Sequence, residues 1–341
     1  MKDLLPTWQS WLEKGEPFAL ATVIKTWGSG PRPVGSQMLM SADMEMAGSV
    51  SGGCVEGAVL RASQEVLASG TSQMLKYGVT DDEAWSVGLS CGGKIEVFLE
   101  KVEPEMGIWQ DMVGRLEKEE SFVRILPIQT GPSNSALLAP DGLTIGAEIS
   151  TEVKEAALKA YQERHIRQEV ADEVPYLLHV VPRRSQLLIV GAAHITVDLV
   201  HLAKFYGFET TVIDPRGIFA EKTQFLTQPD QLHIAYPEEV LDQYPMDPYT
   251  YAVILSHDPK IDDNALHVLL KEPVAYIGAL GSKRTHAKRV ARLTEAGFSE
   301  DEIARIHAPI GLNIGAKSPR EIALSIMAEL VATQHAYSKK H

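Results

Sequence analysis

The two cysteines of this chain stand where their sulfur atoms could react. Cys54 follows Gly52 and Gly53 and begins a segment with helical periodicity, so the positive end of a helix dipole would favour its thiolate form. A thiolate in this position suits contact with a soft metal, transport of a persulfide sulfur, or nucleophilic attack. Free cysteine is also a common core residue, and that alternative stays open for each thiol.

Cys91 is the second thiol flanked by glycine. Gly92 and Gly93 follow it directly, which leaves its backbone open to close approach by a ligand. Two cysteines are too few for a disulfide framework or a four-cysteine zinc site. Cys-x-x-Cys, His-Glu-x-x-His and Walker motifs are absent as well. We therefore predict that Cys54 and Cys91 handle a metal or sulfur, with both as candidate metal contacts.

A second group of candidate residues follows the strands of a parallel sheet predicted in the C-terminal half. A strand at 187–190 leads into a turn from Gly191 to His194, and Asp214 stands 23 residues after Gly191. This spacing resembles a dinucleotide-binding motif, in which the acid binds a ribose hydroxyl. Ala193 replaces the glycine that lets a pyrophosphate approach. Binding of NAD(P) and a Rossmann-like scaffold for another ligand therefore both remain open.

Further polar residues follow later strands of the same half. They are His257, Asp258, Gly281 and Ser282. Ligands of open α/β sheets bind at the carboxyl ends of the strands, so we expect these residues to line a cofactor site with His194 and Asp214. Lys283 and Arg284 lie in the most basic stretch of the chain, 282–289, and would bind a phosphate. The alternative for this stretch is a solvated helix face.

The elements that would position these residues fall into two parts. Residues 1–182 predict an N-terminal α/β domain with Gly-rich cysteine loops, including a charged helix around 152–167. Residues 183–341 alternate strand and helix, which predicts a Rossmann-like, doubly wound parallel sheet. Capping boxes begin helices at Ser299 and Ser318. No internal repeat at a fixed period is visible.

Composition narrows the classes of partner. The 341 residues include 45 acidic and 32 basic side chains, a net charge of −13, which argues against nucleic acid or an anionic membrane as the main partner. The longest apolar runs are about half the roughly 20 residues that a membrane-spanning helix needs. The first residues lack the unbroken apolar stretch of a signal peptide. We expect a cytoplasmic protein.

Several longer segments together resemble the XdhC/CoxI family, the accessory proteins of xanthine dehydrogenase and related molybdenum hydroxylases. The resemblance rests on segments 28–35, 48–57, 88–93, 256–260, 276–282 and 307–312. It implies a protein that binds the molybdenum cofactor (molybdopterin) and supports its sulfuration with a cysteine desulfurase. It also implies delivery of the cofactor to apo xanthine dehydrogenase or a related hydroxylase.

The resemblance also implies roles for individual residues. Cys54 and Cys91 would lie at the metal or sulfur end of the cofactor. The phosphate end would be held by backbone amides of the glycine loops, by helix N-termini, and by Arg32 or the Lys283–Arg284 pair. A maturation factor without catalysis of its own, forming a homodimer, is favoured. The alternatives are an NAD(P)-dependent oxidoreductase that uses the Gly191 turn, Asp214 and His257, and a non-catalytic assembly subunit of the dehydrogenase.

Overall fold

The chain divides into two compact units, Met1–Arg183 and Arg184–His341. This division comes from a computed structural model, which describes residues 1–28, 32–78, 93–217 and 225–336. Among the described helices, none combines the length and the apolar character needed to cross a membrane.

The first unit contains the same series of elements twice. The first series is α1 (Leu5–Lys14), β1 (Phe18–Trp27), β2 (Gln37–Met40), β3 (Met46–Gly48), α2 (Glu56–Ser69), β4 (Gln73–Tyr77) and β5 (Lys94–Val102). The second series is α3 (Gly107–Glu117), β6 (Phe122–Pro127), β7 (Ala136–Leu138), β8 (Thr144–Gly146), α4 (Thr151–Gln162), β9 (Arg167–Ala171) and β10 (Val174–Val181). Each series forms an antiparallel five-stranded sheet, in the orders β3-β2-β1-β5-β4 and β8-β7-β6-β10-β9.

Equivalent contacts show that this likeness extends to single residues. Gly48 ends β3 and Gly146 ends β8, and both have a positive φ. A Cβ atom on Gly48 would lie 2.4 Å from the carbonyl oxygen of Gln37, and one on Gly146 would lie 2.6 Å from that of Ser135. The same crowding therefore requires glycine at the same point of each series. The sequence shows no fixed-period repeat because the duplication lies in topology, while the connecting loops differ in length.

Apolar faces of α1 and α3 join the two series into one core. The indole of Trp8 in α1 stacks on that of Trp109 in α3, with ring centroids 5.6 Å apart. Both rings are fully buried with Phe18 and Phe122, the first residues of β1 and β6. The aromatic residues of the two series are thus buried in the same core.

The charged helix predicted around 152–167 is shorter in the structure. It spans Thr151–Gln162, and Arg164 then adopts a positive φ of 52° before strand β9 begins. The prediction of a single element was wrong because charged residues continue from the helix into an edge strand, and charge alone does not distinguish the two.

The second unit is a parallel six-stranded sheet with helices on both faces. Its elements are β11 (Gln186–Val190), α5 (His194–Phe205), β12 (Glu209–Ile213), β13 (Gln231–His233), α6 (Pro237–Leu241), β14 (Thr250–Ile254), α7 (Pro259–Leu269), β15 (Tyr276–Ala279), α8 (Lys283–Glu295), α9 (Glu300–Ala304), β16 (Ile306–His307) and α10 (Pro319–Ala336). The order β13-β12-β11-β14-β15-β16 is that of a Rossmann fold, so the predicted doubly wound sheet is confirmed.

Two cores cover the faces of this sheet. One contains residues of α5 and α10, the other residues of α7, α8 and α9. Both predicted capping boxes are present: Ser299 exchanges hydrogen bonds with Glu302, and Ser318 with Glu321. At the end of β11, Gly191 has a φ of 104°, and a Cβ there would lie 2.7 Å from the backbone of Ser256. The backbone segments that follow the neighbouring strands β11 and β14 therefore approach so closely that only glycine fits at this turn.

Candidate functional site

Three strands of the first series end at one edge of its sheet. β1, β3 and β4 run in the same direction, because each pairs antiparallel with β2 or β5. The connections that leave these strand ends are 28–36, 49–55 and 78–93. They contain every candidate residue predicted for this half of the chain. Of those residues, Cys91 and Gly92 lie outside the part of the chain that the structure describes.

The connection between β3 and α2 is organised by one buried carboxylate. Glu56, the first residue of α2, is 6% exposed and accepts five hydrogen bonds from the connection before it. The donors are the hydroxyls of Ser49 (2.6 Å) and Ser51 (2.5 Å) and the backbone N–H groups of Val50 (3.2 Å), Ser51 (2.8 Å) and Gly53 (2.9 Å). We call residues Ser49–Cys54 the thiol loop.

These bonds keep Glu56 ionised. Burial by itself would raise the pKa of the Glu56 carboxyl, but the hydrogen bonds from Ser49 and Ser51 outweigh it and lower the pKa to about 2. The thiol loop is therefore folded around a negative charge. That charge acts at the N-terminus of α2, where the helix dipole also favours an anion.

The N–H groups of the thiol loop donate to the loop itself or to Glu56, except that of Ser49, which donates to the carbonyl of Gln37 in β2. Gly53 donates to Glu56 and Gly52 donates to the Ser49 hydroxyl at 2.8 Å, while Cys54 donates to the Ser51 hydroxyl at 3.0 Å. The glycines supply backbone conformations, with φ of 73° at Gly52 and 111° at Gly53. The loop thus presents a thiol, while its amides serve its own fold.

Cys54 itself is half-buried and free of any disulfide. Its side chain packs at the margin of the apolar cluster beneath α2, and a Cβ added to the neighbouring Gly53 would meet nothing within 4 Å. The helix begins at Glu56 with Val55 as its N-cap, so the prediction that Cys54 begins the helix was wrong by two residues. The cause is Glu56, whose carboxylate holds the preceding residues in bends.

The duplicated series provides an internal comparison for this loop. Between β3 and α2 the chain uses seven residues, 49–55, whereas four residues, 147–150, join β8 to α4. In the short version, the hydroxyl of Ser150 caps α4 by accepting from Val153 N–H. The scaffold therefore needs only a four-residue connection, and the additional residues of the thiol loop are not required to join strand and helix.

The other connections at this edge also differ between the copies. Residues 78–93 join β4 to β5, whereas only residues 172–173 join β9 to β10. Arg32, in the connection after β1, is exposed, and Gly93 is buried just before β5. Arg32, the thiol loop and the connection that contains Cys91 thus all follow strands that end at the same edge of the first sheet.

A cavity of about 440 Å³ lies beside the connection after β1. Its lining consists of residues 1–3, 33–36 and 179–183 together with Ile166. His179 is 5% exposed; its burial, together with the charge of Arg124, lowers its pKa to about 3, so the imidazole is neutral. A Cβ on Gly35 would lie 2.8 Å from His179 Nε2, so the close approach of the imidazole to the backbone requires glycine at this position. Sequence reasoning missed His179, because a single histidine in an apolar strand gives no signal.

In the second unit, Asp214 is already engaged by the protein. Its carboxylate accepts from Ala192 N–H at 2.8 Å and from the Arg216 guanidinium at 2.8 and 2.9 Å. Burial would raise its pKa, but the bonds from Arg216 and Ala192 lower it overall. A ribose hydroxyl would have to compete with Arg216 for these oxygens, so no observation here favours a nicotinamide dinucleotide. Arg216 had no signal in the sequence, since it lies beyond the motif.

The remaining candidates of this unit lie at the carboxyl ends of its strands, as expected from the strand pattern. Exposed His194 begins α5, and exposed His257 follows β14 with a positive φ of 62°. Asp258 caps α7 by accepting from Lys260 N–H at 2.9 Å. Ser282 caps α8, whose first residues are Lys283 and Arg284, both exposed, with Gly281 just before the cap.

A buried cluster links two of these strand ends. The Ser256 hydroxyl donates to Asp262 at 2.5 Å, and Arg289 of α8 donates to the other oxygen of Asp262 at 3.1 Å and to the carbonyl of Leu280 at 3.0 Å. Ser256 follows β14 and Leu280 follows β15. Within the described residues, no group of three or more His, Cys, Asp and Glu side chains is arranged to hold a metal ion.

Two protein-family models match the chain. The model of the XdhC and CoxI family matches residues 11–78, and that of the XdhC Rossmann domain matches residues 187–330. A probable xanthine dehydrogenase subunit of Bacillus subtilis is 28% identical over 326 residues, which cover 95% of both chains. The molybdenum cofactor insertion chaperone PaoD of Escherichia coli is 26% identical over 325 residues, 95% of this chain and 85% of PaoD.

A solved structure shares the fold over nearly the whole chain. It is the crystal structure described as a xanthine dehydrogenase from Bacillus halodurans, with 27% identity and a TM-score of 0.64. The match covers 98% of this chain and 96% of the other.

Proposed function

We propose, since the chain belongs to the XdhC and CoxI family, that it is an accessory protein that binds the molybdenum cofactor, supports its sulfuration and delivers it to a molybdenum hydroxylase such as xanthine dehydrogenase. The names of two relatives support this proposal, one as a cofactor insertion chaperone and one as part of a dehydrogenase. Its partners would be the apo-hydroxylase, a cysteine desulfurase and a second copy of the chain, in the cytoplasm.

The observation that carries the proposal is the thiol loop. Four residues connect strand and helix in the second copy of the series. The first copy uses seven residues, folded around the buried charge of Glu56, and this longer connection contains one thiol. Burying an ionised carboxylate is costly unless it is fully hydrogen-bonded, as Glu56 is. A loop built in this way fits a role of its sulfur better than a role in packing.

The donor types at this edge fit the proposed cargo. The cofactor, when bound, supplies a metal centre and a phosphate group. Cys54 offers a half-buried sulfur, the ligand type that soft metals and sulfur transfer require. The amides of Gly52 and Gly53 are engaged by Ser49 and Glu56, so at this edge the phosphate would be held by Arg32. Glu56 and Ser51 would position the thiol without contacting the cofactor.

An exchange between the two copies tests the role of the loop. Residues 49–56 are replaced by the sequence of residues 147–151, which removes Cys54 and Glu56 together and leaves the shorter connection. Cys54→Ala removes the sulfur alone. The protein is purified without oxygen from cells that make the cofactor, and bound cofactor is measured as fluorescent oxidised pterin. Activation of apo xanthine dehydrogenase is the second readout.

The opposite edge of the sheet supplies a matched control. Residues 41–45 join β2 to β3 and residues 139–143 join β7 to β8, so an exchange there preserves length. We expect the loop exchange and Cys54→Ala to lower enzyme activation at least tenfold, and the control exchange to leave it unchanged. Unchanged pterin content and activation in both test variants would remove the thiol loop from the proposal.

A further inference from the structure

We propose that the second unit binds the phosphate group of a small phosphomonoester at the N-terminus of α8, with Arg289 as the buried anchor. This places the anion at the carboxyl end of β15 and not at the Gly191 turn. The inference concerns the second unit by itself and does not depend on the proposed function, because inorganic phosphate alone tests it.

Arg289 carries buried hydrogen-bond donors that the protein leaves unused. Its side chain is 1% exposed, and only Nη2 has acceptors, on Asp262 and Leu280. Within the described chain, Nε and Nη1 have no hydrogen-bond partner. Buried polar groups in proteins are nearly always hydrogen-bonded, so three N–H groups without acceptors indicate an acceptor supplied from outside the chain.

The position of this guanidinium directs it to the start of α8. Helix side chains lean toward the N-terminus, and Arg289 reaches back to the carbonyl of Leu280, two residues before the N-cap Ser282. The guanidinium therefore lies beneath the first turn of the helix. Its bond to Asp262, which in turn holds the Ser256 hydroxyl, fixes it there.

The first turn adds donors of its own. Ser282 caps the helix by accepting from Thr285 N–H, while the N–H groups of Lys283 and Arg284 have no intrahelical acceptor because they belong to the first turn. Both side chains are exposed and cationic. A phosphate has enough oxygens to accept from the helix N-terminus and from an unused N–H group of Arg289 at once.

The helix starts that follow the neighbouring strands β11 and β14 are less suited to binding an anion. At the Gly191 turn, Ala192 N–H donates to the Asp214 carboxylate. At the start of α7, the carboxylate of Asp258 already caps the helix and Pro259 has no N–H. Of the carboxylates near Arg289, Asp262 is engaged by Ser256 and by Arg289 itself. Among these three helix starts, that of α8 combines a cationic first turn with buried N–H donors that have no acceptor.

The test is a titration of the full-length, ¹⁵N-labelled protein with inorganic phosphate at constant ionic strength. We expect saturable shifts of the backbone amides of Ser282, Lys283 and Arg284 and of the Arg289 Nε–H signal. Glycerol 3-phosphate and NAD⁺ are titrated in the same way. We expect glycerol 3-phosphate, a phosphomonoester, to bind at least tenfold more tightly than NAD⁺. Shifts confined to His194 and Ile195, or tighter binding of NAD⁺, would overturn the proposal.

Variants separate the anchor from general positive charge. Arg289→Lys keeps the charge but loses the Nε and Nη1 donors of the guanidinium, and we expect the Kd for phosphate to rise at least tenfold. Lys283→Ala with Arg284→Ala, at exposed sites that do not endanger folding, is expected to raise it about fivefold. Arg292→Lys is the control, because Arg292 lies on the same helix but is paired with Asp263 at 2.5 and 2.9 Å. An equal loss in the control, or no saturation by 50 mM phosphate, would contradict the proposal.

Discussion

At the residue scale, the thiol loop depends on the charge of one side chain. Glu56 accepts from two hydroxyls and three backbone N–H groups, so its two oxygens replace the water that the loop gives up on folding. Glu56 lies in the first turn of α2, but its bonds run backwards over the whole thiol loop, a range that residue type alone does not reveal.

Glu56→Gln should destabilise the first unit by about 1–3 kcal/mol at pH 7, because an amide replaces a charged acceptor and turns NH₂ toward other donors. The pKa of Glu56 is depressed to about 2, so its contribution is complete above the unfolded value of 4.5 and is lost as the pH falls from there toward 2. The difference between variant and wild type should therefore shrink below pH 4.

Urea unfolding followed by tryptophan fluorescence measures this difference, since all five tryptophans lie within residues 1–183. Glu65→Gln is the matched control: it removes one exposed charge from the same helix and should change stability by less than about 0.5 kcal/mol. A constant gap between Glu56→Gln and wild type from pH 7 to pH 3 would show that the carboxylate charge is not what holds the loop.

At the element scale, the first unit repeats one arrangement with unequal connections. The strand pattern and the Gly-rich loops were sufficient to predict an α/β domain, and its α/β character is confirmed. The second sheet and the duplication were not predictable, because equivalent positions such as Leu4 and Ile108 share only apolar character. What identifies them is a three-dimensional contact: each touches the strand-ending glycine of its own series, Gly48 or Gly146.

This equivalence predicts matched responses to substitution. Gly48→Ala and Gly146→Ala should each destabilise the first unit by more than about 2 kcal/mol, since a Cβ would meet a backbone carbonyl oxygen within 2.6 Å in addition to the positive-φ strain. Gly70→Ala shares the strain, with a φ of 70°, but meets nothing within 4 Å. It should cost only about 1–2 kcal/mol. Tryptophan-detected urea unfolding ranks the three, and a Gly146→Ala variant as stable as Gly70→Ala would argue against equivalence.

At the scale of the whole molecule, each unit contains its own cores. The clusters around Trp8 and beneath α2 lie entirely within residues 1–183, and the two clusters that cover the parallel sheet lie within 184–341. The alternation of apolar strands and helices made the Rossmann-like half predictable. The residues at its strand ends were only partly predictable. Asp214 follows the expected spacing, but its partner Arg216 lies outside the motif, and the basic stretch 282–289 does not reveal that Arg289 is buried.

Separate cores predict that the fragments 1–183 and 184–341 each fold when expressed alone, as chains of this length bury enough surface for a stable domain. Each should unfold in one cooperative transition in urea, followed by circular dichroism, with tryptophan fluorescence as a second probe for fragment 1–183. Phosphate at 20 mM should raise the midpoint of fragment 184–341 and leave that of 1–183 unchanged, because only the former contains α8 and Arg289. Sodium chloride of equal ionic strength is the control. If fragment 184–341 unfolds without a cooperative transition, or if phosphate stabilises both fragments alike, the division of cores does not correspond to a division of folding and binding.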